Sequence, residues 1–151
     1  MTMFGPDELL FFDNRLVPGR TTRAEAFALL GRAGFFSKHD DNERFAIWVV
    51  REIDLTVGMS PIYQIVLYFS ESVVARIQCR FESENFSEIR RIFRAQFGKG
   101  EVLRSSPRID WANSQSGVIL RHDISAFEII HIARNKQFLI DLRPKGNGLE
   151  E

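Results

Sequence analysis

The segment Tyr63-Gln64-Ile65-Val66-Leu67-Tyr68-Phe69, followed by Ser70-Glu71-Ser72 and then Val73-Val74-Ala75-Arg76-Ile77-Gln78-Cys79-Arg80-Phe81, decides the fold class. Its first limb is rich in β-branched and aromatic residues, its middle is a polar turn, and its second limb returns with alternating character. That pattern is a β-hairpin. Strand side chains alternate between faces, so Tyr63, Ile65, Leu67 and Phe69 share one face and Gln64, Val66 and Tyr68 the other. The second face is not strongly polar. Cys79, the only cysteine, is in phase with Val73, Ala75 and Ile77. It therefore reads as a small buried apolar residue rather than a nucleophile, and it has no partner for an intrachain disulfide.

Upstream of the hairpin, Pro18-Gly19 is a turn signal. Thr22 and Glu25 follow with capping-box spacing, in which each side chain takes the other residue's free backbone N–H. Ala24, Ala26, Phe27, Leu29 and Leu30 then make a short helix ending near Gly31 or Gly34. The run Phe45–Val50 reads as a strand, preceded by a polar loop at His39-Asp40-Asp41-Asn42. Leu9 to Phe12, with the turn Asp13-Asn14 after it, reads as a hairpin or lead-in strand. Downstream, Asn85 and Glu88 repeat the capping spacing. Ile89, Ile92, Phe93 and Phe97 recur at helical intervals, and Gly98 ends that helix. Strands are expected at 101–103, 109–112, 117–123, 127–133 and 137–142, with Asn135-Lys136 as a tight turn between the last two.

The two halves align. Thr22 matches Asn85, Glu25 matches Glu88, and Trp48 matches Trp111, each pair the same distance apart. The closing hairpins, 63–81 and 127–142, match at nearly the same offset. The expected architecture is α+β: two tandem helix-plus-antiparallel-meander units, 16–81 and 82–143, forming one sheet with the helices on one face. The units make one domain over 1–143, and 144–151 reads as a flexible tail, part of it a cloning scar. Neither unit alone covers its apolar sheet face, so burial is shared between them.

A chain of 151 residues fits one domain with a core large enough to fold without metal or disulfide. Its 20 basic and 20 acidic residues cancel, which gives no global electrostatic reason to expect nucleic acid or an anionic membrane as partner. Sixteen of the basic residues are Arg, which suits planar pairing with carboxylates. There is no basic segment leading into an apolar stretch at the N-terminus, and no apolar run approaches a membrane span. The expected location is cytoplasmic, unless a leader has been removed.

The order Pro18-Gly19, Thr22, Glu25, Leu29-Leu30-Gly31, then Trp48, then Tyr68-Phe69 resembles the helix-then-meander unit of BamE/SmpA-type proteins. Two such units in tandem resemble the β-lactamase inhibitor protein architecture. The resemblance spans most of 16–143 on degenerate motifs. The chain lacks the lipobox cysteine of the former and the paired cysteines of the latter. The resemblance implies a sheet surface that holds another protein. Small motif-free proteins of this kind are similar to immunity proteins that neutralise bacterial toxins, an analogy at the level of fold alone.

Few constellations carry chemistry. His39, Asp40, Asp41 and Glu43 form the densest group of metal-ligand types. Neighbours in one loop rarely converge on an ion, which leaves a solvated loop or an acidic contact loop for a basic partner as the other readings. His122-Asp123 and His131 lie on neighbouring expected strands and meet only in some registers. A His–Asp pair there is a candidate base, with no Ser or Cys nucleophile beside it. Arg90, Arg91 and Arg94 cluster on the second helix, opposite its apolar stripe, as a solvated or protein-binding face. No phosphate-cradling glycine loop is present. Trp48, Tyr68 and Trp111 are the candidate aromatic anchors of a protein interface, with Asp40, Asp41 and Glu43 as acidic contacts. No cofactor is expected. The expected activity is non-catalytic binding of one protein partner, an immunity or inhibitor role. The alternatives are a homo-oligomeric adaptor, a homodimer among them, and a small enzyme using His122, Asp123 and His131.

Overall fold

The computed structural model describes residues 16–30, 35–53, 55–102 and 107–142. The described elements run α1 (Arg23–Leu30), β1 (Phe35–Asp41), β2 (Phe45–Arg51), β3 (Thr56–Val57), β4 (Ser60–Ser70), β5 (Val73–Phe81), α2 (Phe86–Phe97), β6 (Glu101–Val102), β7 (Arg108–Ala112), β8 (Ser116–Arg121), β9 (Ala126–His131) and α3 (Ile132–Leu142). All strand pairs are antiparallel, in the order β1-β2-β4-β5-β9-β8-β7-β6, with β3 folded back on β4. The protein is thus α+β; its described residues form a nine-stranded antiparallel sheet with three α-helices. The readings at Leu9–Phe12, at the glycines ending α1 and in the tail lie outside the described residues.

The deciding hairpin forms as β4 and β5. Its turn is only Glu71-Ser72, with Glu71 at φ 53°. The first face of the sheet is dry. Ile65, Leu67 and Phe69 of β4 and Ile77, Cys79 and Phe81 of β5 are sealed there, with Trp48, Leu120, Phe127 and Ile129 from neighbouring strands. Leu30 and Ala26 of α1 and Ile89 and Phe93 of α2 close over them. Each fully buried Phe or Ile in this layer contributes about 1.5–3 kcal/mol relative to exposure. Phe93 packs edge-on to both Trp111 and Phe127, with ring centroids 5.8 and 5.0 Å away.

The first capping box is formed: Thr22 N–H donates to Glu25 Oε1 at 2.9 Å and Glu25 N–H to Thr22 Oγ1 at 3.2 Å. The second is not. Asn85 makes no side-chain cap, because a 3-10 turn over Ser83–Asn85 leads into α2. Glu88 instead reaches the β3–β4 turn, taking the Ser60 hydroxyl and, at 3.2 Å, the Met59 N–H.

Three further expectations are corrected. His39, Asp40 and Asp41 belong to β1, not to a loop. The reversal is made by Asn42, whose Oδ1 accepts from Arg44 N–H and Phe45 N–H at 3.0 and 3.1 Å. The segment expected as the end of a strand, a turn at Asn135-Lys136 and a last strand is the continuous helix α3. Ala133, Arg134, Lys136, Gln137 and Leu139 are strong helix formers with no β-branched run between them. The His131 ring caps this helix, Nδ1 accepting from Arg134 N–H at 3.3 Å. The closing hairpin of the second half is therefore β8–β9, earlier than the offset of the first half requires. The helices also do not share one face: α3 packs on β5, β4, β9 and β2, against the side opposite α1 and α2.

Candidate functional site

The second face of the sheet is built from the residues alternating with the core. Register places them in rows across the strands. One row runs Arg51, Gln64, Arg80, Ala126, Arg121, Arg108. The next runs Val49, Val66, Gln78, Glu128, Ile119, Asp110, and the third Ile47, Tyr68, Arg76, Ile130, Gly117, Ala112. Helix α3 lies over the third row at its β4–β5 end, where Phe138 stacks edge-on to Tyr68 at 5.4 Å and to Phe45 at 5.8 Å. Neither α1 nor α2 reaches the first two rows, since both pack on the other face.

These rows hold a lattice of guanidinium contacts. Arg76 sits over the Tyr68 ring, its guanidinium carbon 4.1 Å from the centroid. Gln78 donates to Glu128 Oε2 at 2.8 Å, and Arg76 Nε stands 4.0 Å from the same oxygen. Arg80 Nη2 donates to Ile124 O at 3.1 Å and Arg51 Nε to Gln64 Oε1 at 3.0 Å. Arg121 grips Asp123 with both Nε and Nη2, and Arg108 meets Asp110 at 3.0 Å. The Arg121 fork holds the Asp123 carboxyl below its ordinary range. Asp110 is pushed the other way: loss of solvent raises it, and the Arg108 guanidinium only partly opposes this.

The lattice is incomplete. Six buried side-chain polar atoms among the described residues lack a hydrogen-bond partner: Ser70 Oγ, Arg76 Nε, Arg80 Nε, Arg108 Nε, Asp110 Oδ1 and Asn135 Oδ1. The first five belong to strand positions on this second face, and Asn135 sits on α3 above it. None lies on the dry face. A buried donor or acceptor left unpaired costs about 1–3 kcal/mol, so native chains keep few of them. Their concentration on one face distinguishes that face from the rest of the molecule.

The residues singled out from sequence fall in different places. Trp48 and Trp111 are core residues, 2% and 5% exposed, and not surface anchors. Each indole N–H is used internally, by Asp41 Oδ1 at 3.2 Å and by Gly98 O at 2.9 Å. Gly100 has no room for a side chain, since a Cβ there would lie 2.6 Å from the Trp111 ring nitrogen. Tyr68 does lie on the second face, half-buried between Arg76 and Phe138.

The acidic group is split by the strand it lies in. Asp41 faces the helix side and meets Arg23 at 3.1 Å and Lys38 at 3.5 Å. Lys38 itself sits over Trp48 at 4.8 Å and Phe27 at 5.5 Å. Asp40 pairs with Ile47 and so belongs to the opposite face, while Glu43 lies in the turn, beside Arg44 and Asp141. Among the described residues no three His, Cys, Asp or Glu side chains are grouped to hold a metal.

His122-Asp123 and His131 do not meet. His131 pairs with Ser116 at one end of the β8–β9 hairpin, and His122 follows Arg121 at the other. His122 stacks on Phe86 at 4.2 Å. His131 packs against Gly19, where a Cβ would lie 2.4 Å from the ring, and burial lowers its basicity, with Arg134 adding to the effect. Cys79 is fully enclosed, and burial holds its thiol protonated well above the usual range. Arg90, Arg91 and Arg94 line the outer side of α2, with Arg90 over the Phe86 ring at 5.6 Å. Sequence reading passed over the arginine lattice. Its signal was the alternation Arg76, Gln78, Arg80, out of phase with the buried Ile77, Cys79 and Phe81.

Comparison with known protein families, characterised proteins and solved structures returned no match. No helix among the described residues is long and apolar enough to cross a membrane.

Proposed function

We propose that this chain is a non-catalytic protein-binding module of the immunity or inhibitor kind, which neutralises a bacterial toxin or enzyme by direct contact through the second face of its sheet. The observation that carries this reading is the gathering of unpaired buried polar atoms and half-exposed arginines on that face, where arginine is a favoured interface anchor. A reading of the chain as two tandem units goes with it. The strand order reads β1-β2-β4-β5 from one edge and β6-β7-β8-β9 from the other, with β5 and β9 meeting in the middle. In each half a Trp stands on the strand second from the edge, beneath that half's helix. Two units joined this way give one broad face rather than an enclosed cleft, a shape suited to holding a protein. A cytoplasmic location goes with this reading, and fractionation of the source cells tests it.

The test uses the tagged chain as bait in lysate of its source organism. One stoichiometric protein, toxic when expressed alone and silenced by co-expression, is the expected result. Recovery of the bait alone would overturn the reading. One observation favours a second reading, self-association: α3 turns Leu139 and Ile140 outward, each about half exposed. Sedimentation at high concentration decides it, since a strict monomer excludes the homo-oligomer.

A further inference from the structure

We infer that the arginine row takes an acidic helix of the partner protein, laid across the strands beside α3. This inference rests on the binding-module reading and assigns the chemistry of its partner. Neighbouring strands lie about 4.8 Å apart. Arg51 on β2, Arg80 on β5 and Arg121 on β8 are each two strand steps from the next, and so about 10 Å apart in the row. Two turns of an α-helix rise about 10.5 Å. A helix lying along the row therefore presents carboxylates at i, i+7 and i+14 to the three guanidiniums in turn. An extended strand matches the interval poorly, because its same-face residues recur about every 6.7 Å.

The space beside α3 suits a helix. That helix crosses the sheet over the third row, and the arginine row lies four residues further along each strand, about 13 Å away. Packed helices sit about 8–10 Å apart, so a second helix over the first two rows runs beside α3 and forms one layer with it. Charge gives the sign of the occupant. The three rows carry Arg51, Arg76, Arg80, Arg108 and Arg121 against Asp110 and Glu128, and Asp123 holds Arg121. The surplus is cationic, while the chain as a whole is neutral. The interleaved carboxylates repel a continuous polyanion such as nucleic acid. They tolerate a helix whose acidic residues are spaced to fall only on the guanidiniums.

The experiment is a titration of isotope-labelled protein, read at the arginine Nε–Hε resonances. The probe is a synthetic alanine-based helix of about 21 residues with Glu at i, i+7 and i+14. The control is the same peptide with Gln. The expected result is a shift of the Arg51, Arg80 and Arg121 signals by the Glu peptide alone, weakening as salt rises. Arg51→Gln, at an exposed site that leaves the core untouched, should weaken binding several-fold, and Arg80→Gln with Arg121→Gln at least tenfold. Equal binding of both peptides, no shift at low salt, or shifts confined to Arg90, Arg91 and Arg94 would overturn the inference. So would displacement of the peptide by a single-stranded oligonucleotide bound more tightly at the same row. A partner recovered with the bait that binds the double variant unchanged removes the acidic helix but leaves the binding module standing. Recovery of no protein removes the module, and the peptide titration still judges the row.

Discussion

Removing the Phe138 ring should detach α3 from the sheet without disturbing the core beneath α1 and α2. Phe138 is 1% exposed and is the one buried residue of its 11-residue helix. It is pinned between Phe45 and Tyr68. A buried Phe→Ala change costs about 3–5 kcal/mol where the surroundings stay in place. Here the loss is capped by the free energy that docks α3, because a helix this short is marginal in water once released. Phe138→Ala should therefore remove about a third of the helical signal, 11 residues against 8 in α1 and 12 in α2. The two tryptophans sit on the opposite face and report the other core. Urea unfolding followed at 222 nm and by tryptophan emission separates the two events. The native baseline at 222 nm should fall while the emission wavelength of the folded state stays put. With a urea slope of about 1–3 kcal/mol/M, a loss near 3 kcal/mol moves the midpoint down by roughly 1–3 M. An unchanged helical baseline together with a midpoint shift under about 0.3 M would show that something other than Phe138 holds α3, and the argument would fail.

Other outcomes follow from single contacts. His131 is less basic in the folded chain than its ordinary value of 6.5, so the unfolded chain binds the proton first. The stability it contributes is complete above pH 6.5 and declines as pH falls from there through the folded value. His131→Asn keeps a capping side chain on α3 but should lose that part of the slope between pH 7.5 and about 5, measured by urea midpoints. Glu88 is more acidic than its ordinary 4.5, held so by Ser60 and then Met59 N–H. Its contribution is present above pH 4.5 and lost as pH falls through the lower folded value, so Glu88→Gln should flatten the acid limb of a thermal-melt series. Thr22→Ala, which opens the one formed capping box, should cost about 1 kcal/mol in chemical denaturation. Replacing Glu71, whose left-handed φ of 53° opposes its Cβ, by Gly should raise the melting temperature through about 1 kcal/mol of relieved strain.

How far the fold could be read follows from which physical signals are local. Hairpin β4–β5 was legible because β-branched and aromatic residues flank a short polar turn, though the turn is two residues rather than three and bulges at Ile62/Gln64 and Tyr68/Phe69 break the strict alternation, leaving Tyr63 exposed. So was α1, where Thr22 and Glu25 cap a run of helix formers. The Asn85–Glu88 spacing was the same pattern with a different outcome, because Ser60 and Met59 offered Glu88 partners distant in sequence. Helix α3 was missed for a related reason. Ile129 to Ile132 prolongs the apolar look of β9 past its true end, and the cap that stops it is a histidine, outside the usual Ser, Thr, Asp and Asn set. The two tryptophans were misplaced because each carries a polar N–H, and nothing in the sequence reveals that Asp41 and Gly98 O accept from them inside the fold.

Placing α3 on the second face alters what the arginines mean. A sheet covered on one side only has a solvated outer face, where guanidiniums and carboxylates pair at little net gain. Once a helix roofs part of that face, the polar residues at its margin lose water without gaining enough partners. Ser70 and Asn135 are shut off together with Arg76. Apolar side chains at these positions would seal the layer more cheaply, since a buried ion pair is often no more stabilising than hydrophobic residues of similar size. The alternation of β5 shows the distinction within one strand: Ile77, Cys79 and Phe81 close a core, while Arg76, Gln78 and Arg80 hold back a polar face half a layer deep. Under the proposed binding role, the half-exposed arginines kept on that second side of the strands are the groups a partner would meet.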